Sequence, residues 1–159
     1  MSKSAEDILK TAILLERRGK AFYAATARQT QSEAVRKIFT QMAEEEDAHI
    51  EFLSRQFAEY EKSGRFAANA GTLPVSDAEA VLILSEQVKK EISAAGFESA
   101  AIAAAIDFEN RAVEVYQGRA NEAPDPHEKE LYQMLADWER PHFRLLHKLH
   151  EDLQQQIWV

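Results

Sequence analysis

The chain has no cysteine among its 159 residues. That excludes disulfides, thiolate zinc sites and cysteine-ligated iron–sulfur centres, so any metal chemistry must rest on oxygen and nitrogen ligands. Glycine and proline are scarce, at five and four residues, and most lie outside the helical stretches, so long helices are expected. Long apolar runs are missing too. The longest, Ala100 to Ile106, is mostly alanine and too short to span a bilayer. The opening MSKSAEDILK is polar and lacks the apolar core of a signal peptide, so a cytoplasmic location is expected. Nor is there an excess of positive charge. The net charge of −8 argues against nucleic acid or an anionic membrane surface as partner. A content of 45% hydrophobic and 29% charged residues suits a soluble globular protein, and the length suits a single domain over residues 1–159.

What the chain does have is a repeat of metal-ligand residue types. Glu16, Tyr23, Glu46 and His49 recur as Glu109, Tyr116, Glu139 and His142, each 93 positions on. Each half reads Glu, Tyr seven later, then Glu-x-x-His beginning thirty after the first Glu. Midway between the paired glutamates lie Gln31 and Pro124, both in turn-forming sequence. In each predicted hairpin the two glutamates therefore sit at matching heights on antiparallel helices.

The helices can be placed from their caps and breakers. Ser4 with Asp7 resembles a capping box and starts helix A near residue 5, running to about Arg28. Ser32 caps helix B, which ends at Gly64. Residues 65–75 form a linker. Ser76 or Asp77 starts a connecting helix to about Ala94, and Gly96 breaks it. Helix C covers about 98–120. Asp125 caps helix D with Pro126 in its first turn, and the helix runs to about Gln154. The expected fold is all-α, a four-helix bundle with a long B–C crossover carrying a short extra helix, the ferritin-like topology.

Apolar spacing gives the inward faces. On helix B the seam is Val35, Phe39, Met42, Glu46, His49 and Leu53; on helix D it is Tyr132, Leu135, Glu139, His142, Leu146 and Leu149. Helix A lines up Leu9, Ala12, Glu16, Gly19 and Tyr23, and helix C lines up Ile102, Ala105, Glu109, Ala112 and Tyr116. Four carboxylates and two imidazoles thus fall on core positions. Burying carboxylates is very costly unless they are paired or bind metal. Two divalent cations would balance four negative charges. A Glu-x-x-His pair lies on one helix face and can reach one metal, and this hard ligand set suits iron or manganese better than zinc or copper.

LLERRGKAFY and MAEEEDAH, with DFENRAVEVY and LADWERPH, resemble the two helix pairs of the rubrerythrin family over about residues 5–154. The resemblance implies two iron ions, with manganese as the other candidate. It implies Glu16 and Glu109 as terminal ligands, Glu46 and Glu139 as bridging carboxylates, and His49 and His142 as one nitrogen ligand each. The implied activity is reduction of peroxide or O2. The alternatives are ferroxidase or iron handling, a di-manganese catalase-like enzyme, and a helical interaction module without a working site. Rubrerythrins proper append a cysteine-rich rubredoxin domain; here the electron donor is expected to be external, rubredoxin-like or other. Family members also carry a second helix C glutamate three residues after the first. This chain has Ala112 there, so a symmetric site is expected. A homodimer or higher oligomer is expected, with exchange of helix pairs between chains possible through the 65–75 linker.

Several neighbours of the repeat have two readings. Tyr23 and Tyr116 lie two turns from the terminal glutamates and could hydrogen-bond ligand carboxylates or relay protons; the plain alternative is core packing. Gly19 could leave room for a ligand or for tight packing. Pro141, between Glu139 and His142, predicts a kink or bulge in helix D. Trp138 is off the seam and is expected to pack on another helix or subunit. His127, His147 and His150 are expected at the surface, and of Glu44, Glu45, Glu46 and Asp47 only Glu46 has the inward phase.

Overall fold

The computed structural model describes residues 4–67 and 78–157, all helix and turn, with no strand among them. Five helices follow in order: α1 Ala5–Gln29, α2 Glu33–Ser63, α3 Ala78–Glu91, α4 Phe97–Glu122 and α5 Pro126–Ile157. Helices α1 and α2 form one antiparallel hairpin, α4 and α5 the other, and α1 packs on α4. The shorter α3 lies against α2 and α5. This is the all-α ferritin-like bundle with a crossover helix between its second and third long helices.

The caps explain the boundaries. Ser4 Oγ accepts from Asp7 N at 3.1 Å and Ser32 Oγ from Val35 N at 3.1 Å, each satisfying an otherwise unpaired first-turn donor. Gly64 ends α2 with φ 70, a left-handed conformation that glycine adopts without steric cost. Asp125 Oδ1 accepts from His127 N at 2.8 Å, and Pro126 opens α5 as expected. Helix α3 stops at Glu91, short of Ala94, and α5 runs three residues past Gln154. The expected cap of α3 at Ser76 or Asp77 lies outside the described residues.

The end of the crossover is tied to the first turn by acids that sequence periodicity does not single out. Glu91 Oε2 accepts from Ser32 Oγ and Ala34 N, both at 3.1 Å. Glu98 Oε1 accepts from Thr30 Oγ1 at 3.0 Å. At the opposite end a buried pair, Arg119 and Glu128, locks α4 to α5 through three contacts of 2.8–3.0 Å.

Every residue on the four predicted seams is buried. They do not form one continuous apolar core. One apolar layer gathers Tyr23, Val35, Phe39, Met42, Ile102, Ala105, Leu146 and Leu149, with Val88 of α3. A second gathers Leu9, Ala12, Leu53, Ala112, Tyr116, Tyr132 and Leu135. Phe108 packs against both. The polar seam residues fall between these two layers.

Pro141 does not break or bulge α5, which continues as α-helix through it. Pro141 is on the exposed side, as is Asp137 four residues before. There water can take the carbonyl that loses its donor, and the solvent side is where helices open most easily. His127 and His147 are exposed as expected, but His150 is half-buried, in the stretch of α5 along which α3 packs.

Candidate metal centre

All six repeat acids and imidazoles meet between the apolar layers. Glu16, Glu46, His49, Glu109 and Glu139 are at most 1% exposed and His142 is 7% exposed, so solvent cannot stabilise their charges. Two overlapping sets form. Glu16, Glu46, His49 and Glu139 each offer a ligand atom within 4.8 Å of the others, and so do Glu109, Glu139 and His142. Glu139 belongs to both sets.

Seven residues from Glu16 put Tyr23 two turns along the same face of α1, but its hydroxyl donates across to Glu109 Oε1 on α4. Tyr116 of α4 donates back to Glu16 Oε1 on α1 at 2.5 Å. The crossed pair fixes one oxygen of each carboxylate and ties the two hairpins together. Both phenols are held well above their usual range, first by burial and then by the carboxylate each faces, so they remain donors.

The remaining atoms converge without satisfying one another. His49 Nδ1 stands 3.0 Å from Glu139 Oε1 and 3.4 Å from Glu16 Oε2, yet neither contact has hydrogen-bond geometry. Glu46 Oε2, Glu109 Oε2 and both Glu139 oxygens are buried without a hydrogen-bond partner among the described residues. Buried polar atoms are normally paired, and a cluster of unpaired acceptors aimed at a common space is the arrangement of a cation site. Four carboxylates and two imidazoles fit two divalent ions in number, charge and donor type.

The protonation pattern agrees. Burial, then the charge of Glu139, raises Glu16 to about 7. Burial and Glu139 also raise Glu109 well above the carboxylate range. Burial pushes Glu139 up as well, but Glu109, His142 and His49 hold it well below that range. The imidazoles are lowered by burial yet end up raised, His49 to about 8 and His142 to about 10, because of the carboxylates beside them. Without cations, protons neutralise this cluster, and cations would displace them.

The neighbours come out unevenly. Gly19 marks tight packing: a Cβ there would lie 2.6 Å from Cε1 of Phe108 and 3.5 Å from Glu46 Oε2. Trp138 does pack on another helix, but against the site itself, with its ring centroid 3.5 Å from that of His49. Glu44 and Asp47 face solvent, the latter paired with Lys20. Glu45 does not follow them. It is only 15% exposed, and its Oε2 lies 2.6 Å from His142 Nε2. Seam phase misses it because a residue beside the seam reaches the facing helix, here α5. The usable signal was chemical: a ligand imidazole normally donates its outer N–H to an acceptor. Ala112 is buried in the second apolar layer, so α4 brings one carboxylate to the site.

Searches against curated proteins and against solved structures give no match. A model of the rubrerythrin family matches residues 7–150, which takes in both hairpins, the crossover and all six clustered residues. By that match the chain belongs to the rubrerythrin family.

Proposed function

We propose that this chain is a di-iron oxidoreductase that reduces peroxide or O2 with electrons from an external donor. Glu16, Glu46, His49, Glu109, Glu139 and His142 hold the two ions. The observation that carries the reading is the set of buried, mutually unsatisfied carboxylate oxygens enclosed between two apolar layers. Family membership points the same way. A ferrous pair held by these residues would supply the two electrons that cleaving the O–O bond of a peroxide requires.

The residues of the chain do the rest. Tyr23 and Tyr116 hold one oxygen of Glu109 and of Glu16, leaving the other oxygen of each for an ion. The apolar layers exclude bulk water, which strengthens each carboxylate–cation contact. Reduction of one peroxide to two waters consumes two electrons, which the donor restores, and two protons.

The test is anaerobic loading with Fe(II), addition of one equivalent of H2O2 to follow the first oxidation, then supply of excess H2O2 together with an artificial reductant. The proposal expects iron to be oxidised rapidly and cycled many times. Oxidation without repeated turnover would refute it. That result would favour the second reading, ferroxidase-type iron handling, for which Ala112 is the specific observation: α4 lacks a second carboxylate at the site. A stable di-manganese form that disproportionates peroxide would point instead to catalase-like chemistry.

A further inference from the structure

The repeat that builds the cluster breaks at one telling position. The residue before Glu46 is Glu45; the residue before Glu139, 93 positions on, is Trp138. Each of these side chains crosses to the imidazole of the opposite helix. Glu45 of α2 sets its carboxylate 2.6 Å from Nε2 of His142 on α5. Trp138 of α5 lays its ring against His49 of α2, at 3.5 Å between centroids. His49 Nε2 is buried and has no hydrogen-bond partner among the described residues.

We infer that the two metal positions are inequivalent by construction: His142 is oriented and polarised by Glu45, whereas His49 is oriented by Trp138 without being polarised. This rests on the two-ion reading above. A carboxylate accepting the outer N–H of an imidazole makes the inner nitrogen a better donor and fixes its tautomer. An indole packed at a tilt of 49° against the imidazole restrains the ring but accepts no hydrogen bond from it. Glu45 and Trp138 are thus positioning residues that act through the imidazoles. The ligand set is not a counterweight to be ignored. Glu46 groups with the His49 side, so carboxylate number favours that position while imidazole basicity favours the other. The inequivalence therefore shows most clearly in how each position responds when its own support is changed.

The test uses the full chain, stripped by chelation, with Mn(II) as a divalent probe that shares the hard-ligand preference. Calorimetric titration gives the binding steps. Crystals holding one equivalent of Mn(II) give, from anomalous scattering, its distribution between the His49 and His142 positions. Glu45→Gln is expected to weaken one step by about 10–100-fold, leave the other unchanged, and shift Mn(II) toward His49. Trp138→Glu, which supplies the missing carboxylate, is expected to shift it the same way by strengthening the His49 position. Unchanged helix content by circular dichroism separates these effects from misfolding. Wild-type distribution in both variants, or equal weakening of both steps by Glu45→Gln, overturns the inference. Should Glu45→Gln not fold, a wild-type distribution in Trp138→Glu overturns it alone. No Mn(II) binding to the unsubstituted chain would sink the two-ion reading itself, a different and recognisable failure.

Discussion

The same substitution, glycine to alanine, is expected to have opposite effects at two places in this bundle. Gly19 and Gly118 both lie inside helices, α1 and α4. Alanine gains about 0.8–1.0 kcal/mol over glycine in a helix interior. At Gly118 an added Cβ meets nothing within 4 Å among the described residues, so Gly118→Ala should stabilise by about that amount. At Gly19 the Cβ would stand 2.6 Å and 2.8 Å from two carbons of the Phe108 ring, roughly 1 Å inside ordinary carbon–carbon contact. The ring cannot move freely, because it packs against both apolar layers and lies edge-on to Tyr23. Overpacking of this kind costs about 1–3 kcal/mol. The net for Gly19→Ala is then between about zero and 2 kcal/mol of destabilisation. The difference between the two variants cancels propensity and reads the overpacking alone, about 1–3 kcal/mol. Urea denaturation of the metal-free proteins measures it, and a chain of this length should show about 2–4 °C in Tm per kcal/mol. Gly19→Ala as stable as Gly118→Ala would refute the packing of Phe108 on α1.

Three further outcomes follow from the same geometry. Tyr23→Phe and Tyr116→Phe each remove a donor to a buried carboxylate, so each should weaken Mn(II) binding by about 10–100-fold while the fold persists, as calorimetry and circular dichroism would show. Arg119→Ala strands Glu128, whose side chain is 2% exposed, and should cost about 3–5 kcal/mol in urea denaturation; Arg119→Ala with Glu128→Gln should recover part of that loss. The metal-free protein should lose stability as pH rises. Glu16, moved from 4.5 to about 7, and His49, moved from 6.5 to about 8, both bind protons more tightly folded than unfolded. Their contribution is complete below the unfolded values and disappears as pH passes through about 7 and about 8, so thermal unfolding from pH 4.5 to 8 should show a falling Tm that bound divalent ions reverse.

Much of this was legible because two periodicities coincide. The 93-residue offset identifies Glu16, Glu46, His49, Glu109, Glu139 and His142, and helical phase puts the same six on inward faces; the folded chain brings them together. Caps at Ser4, Ser32 and Gly64 fixed the hairpins because they act locally. Contacts between helices were less visible. Glu45 and Trp138 stand beside their seams: seam phase puts Glu45 outside and gives Trp138 a packing partner on another helix without saying which, yet each reaches the imidazole on the facing helix. Arg119 with Glu128, and Glu91 with Ser32, are pairs with no periodic pattern, one charge or cap among many until the chain folds. Pro141 produces no break or bulge because its local penalty depends on which way it faces, and it faces water.

Elemental mass spectrometry on untagged protein, as purified and after anaerobic Fe(II) loading, tests the central claim most directly. The account predicts about two irons per chain, lost on replacing Glu139, the carboxylate common to both sets, with alanine. A chain that retains no metal under either condition, or one that keeps two ions without Glu139, would contradict it.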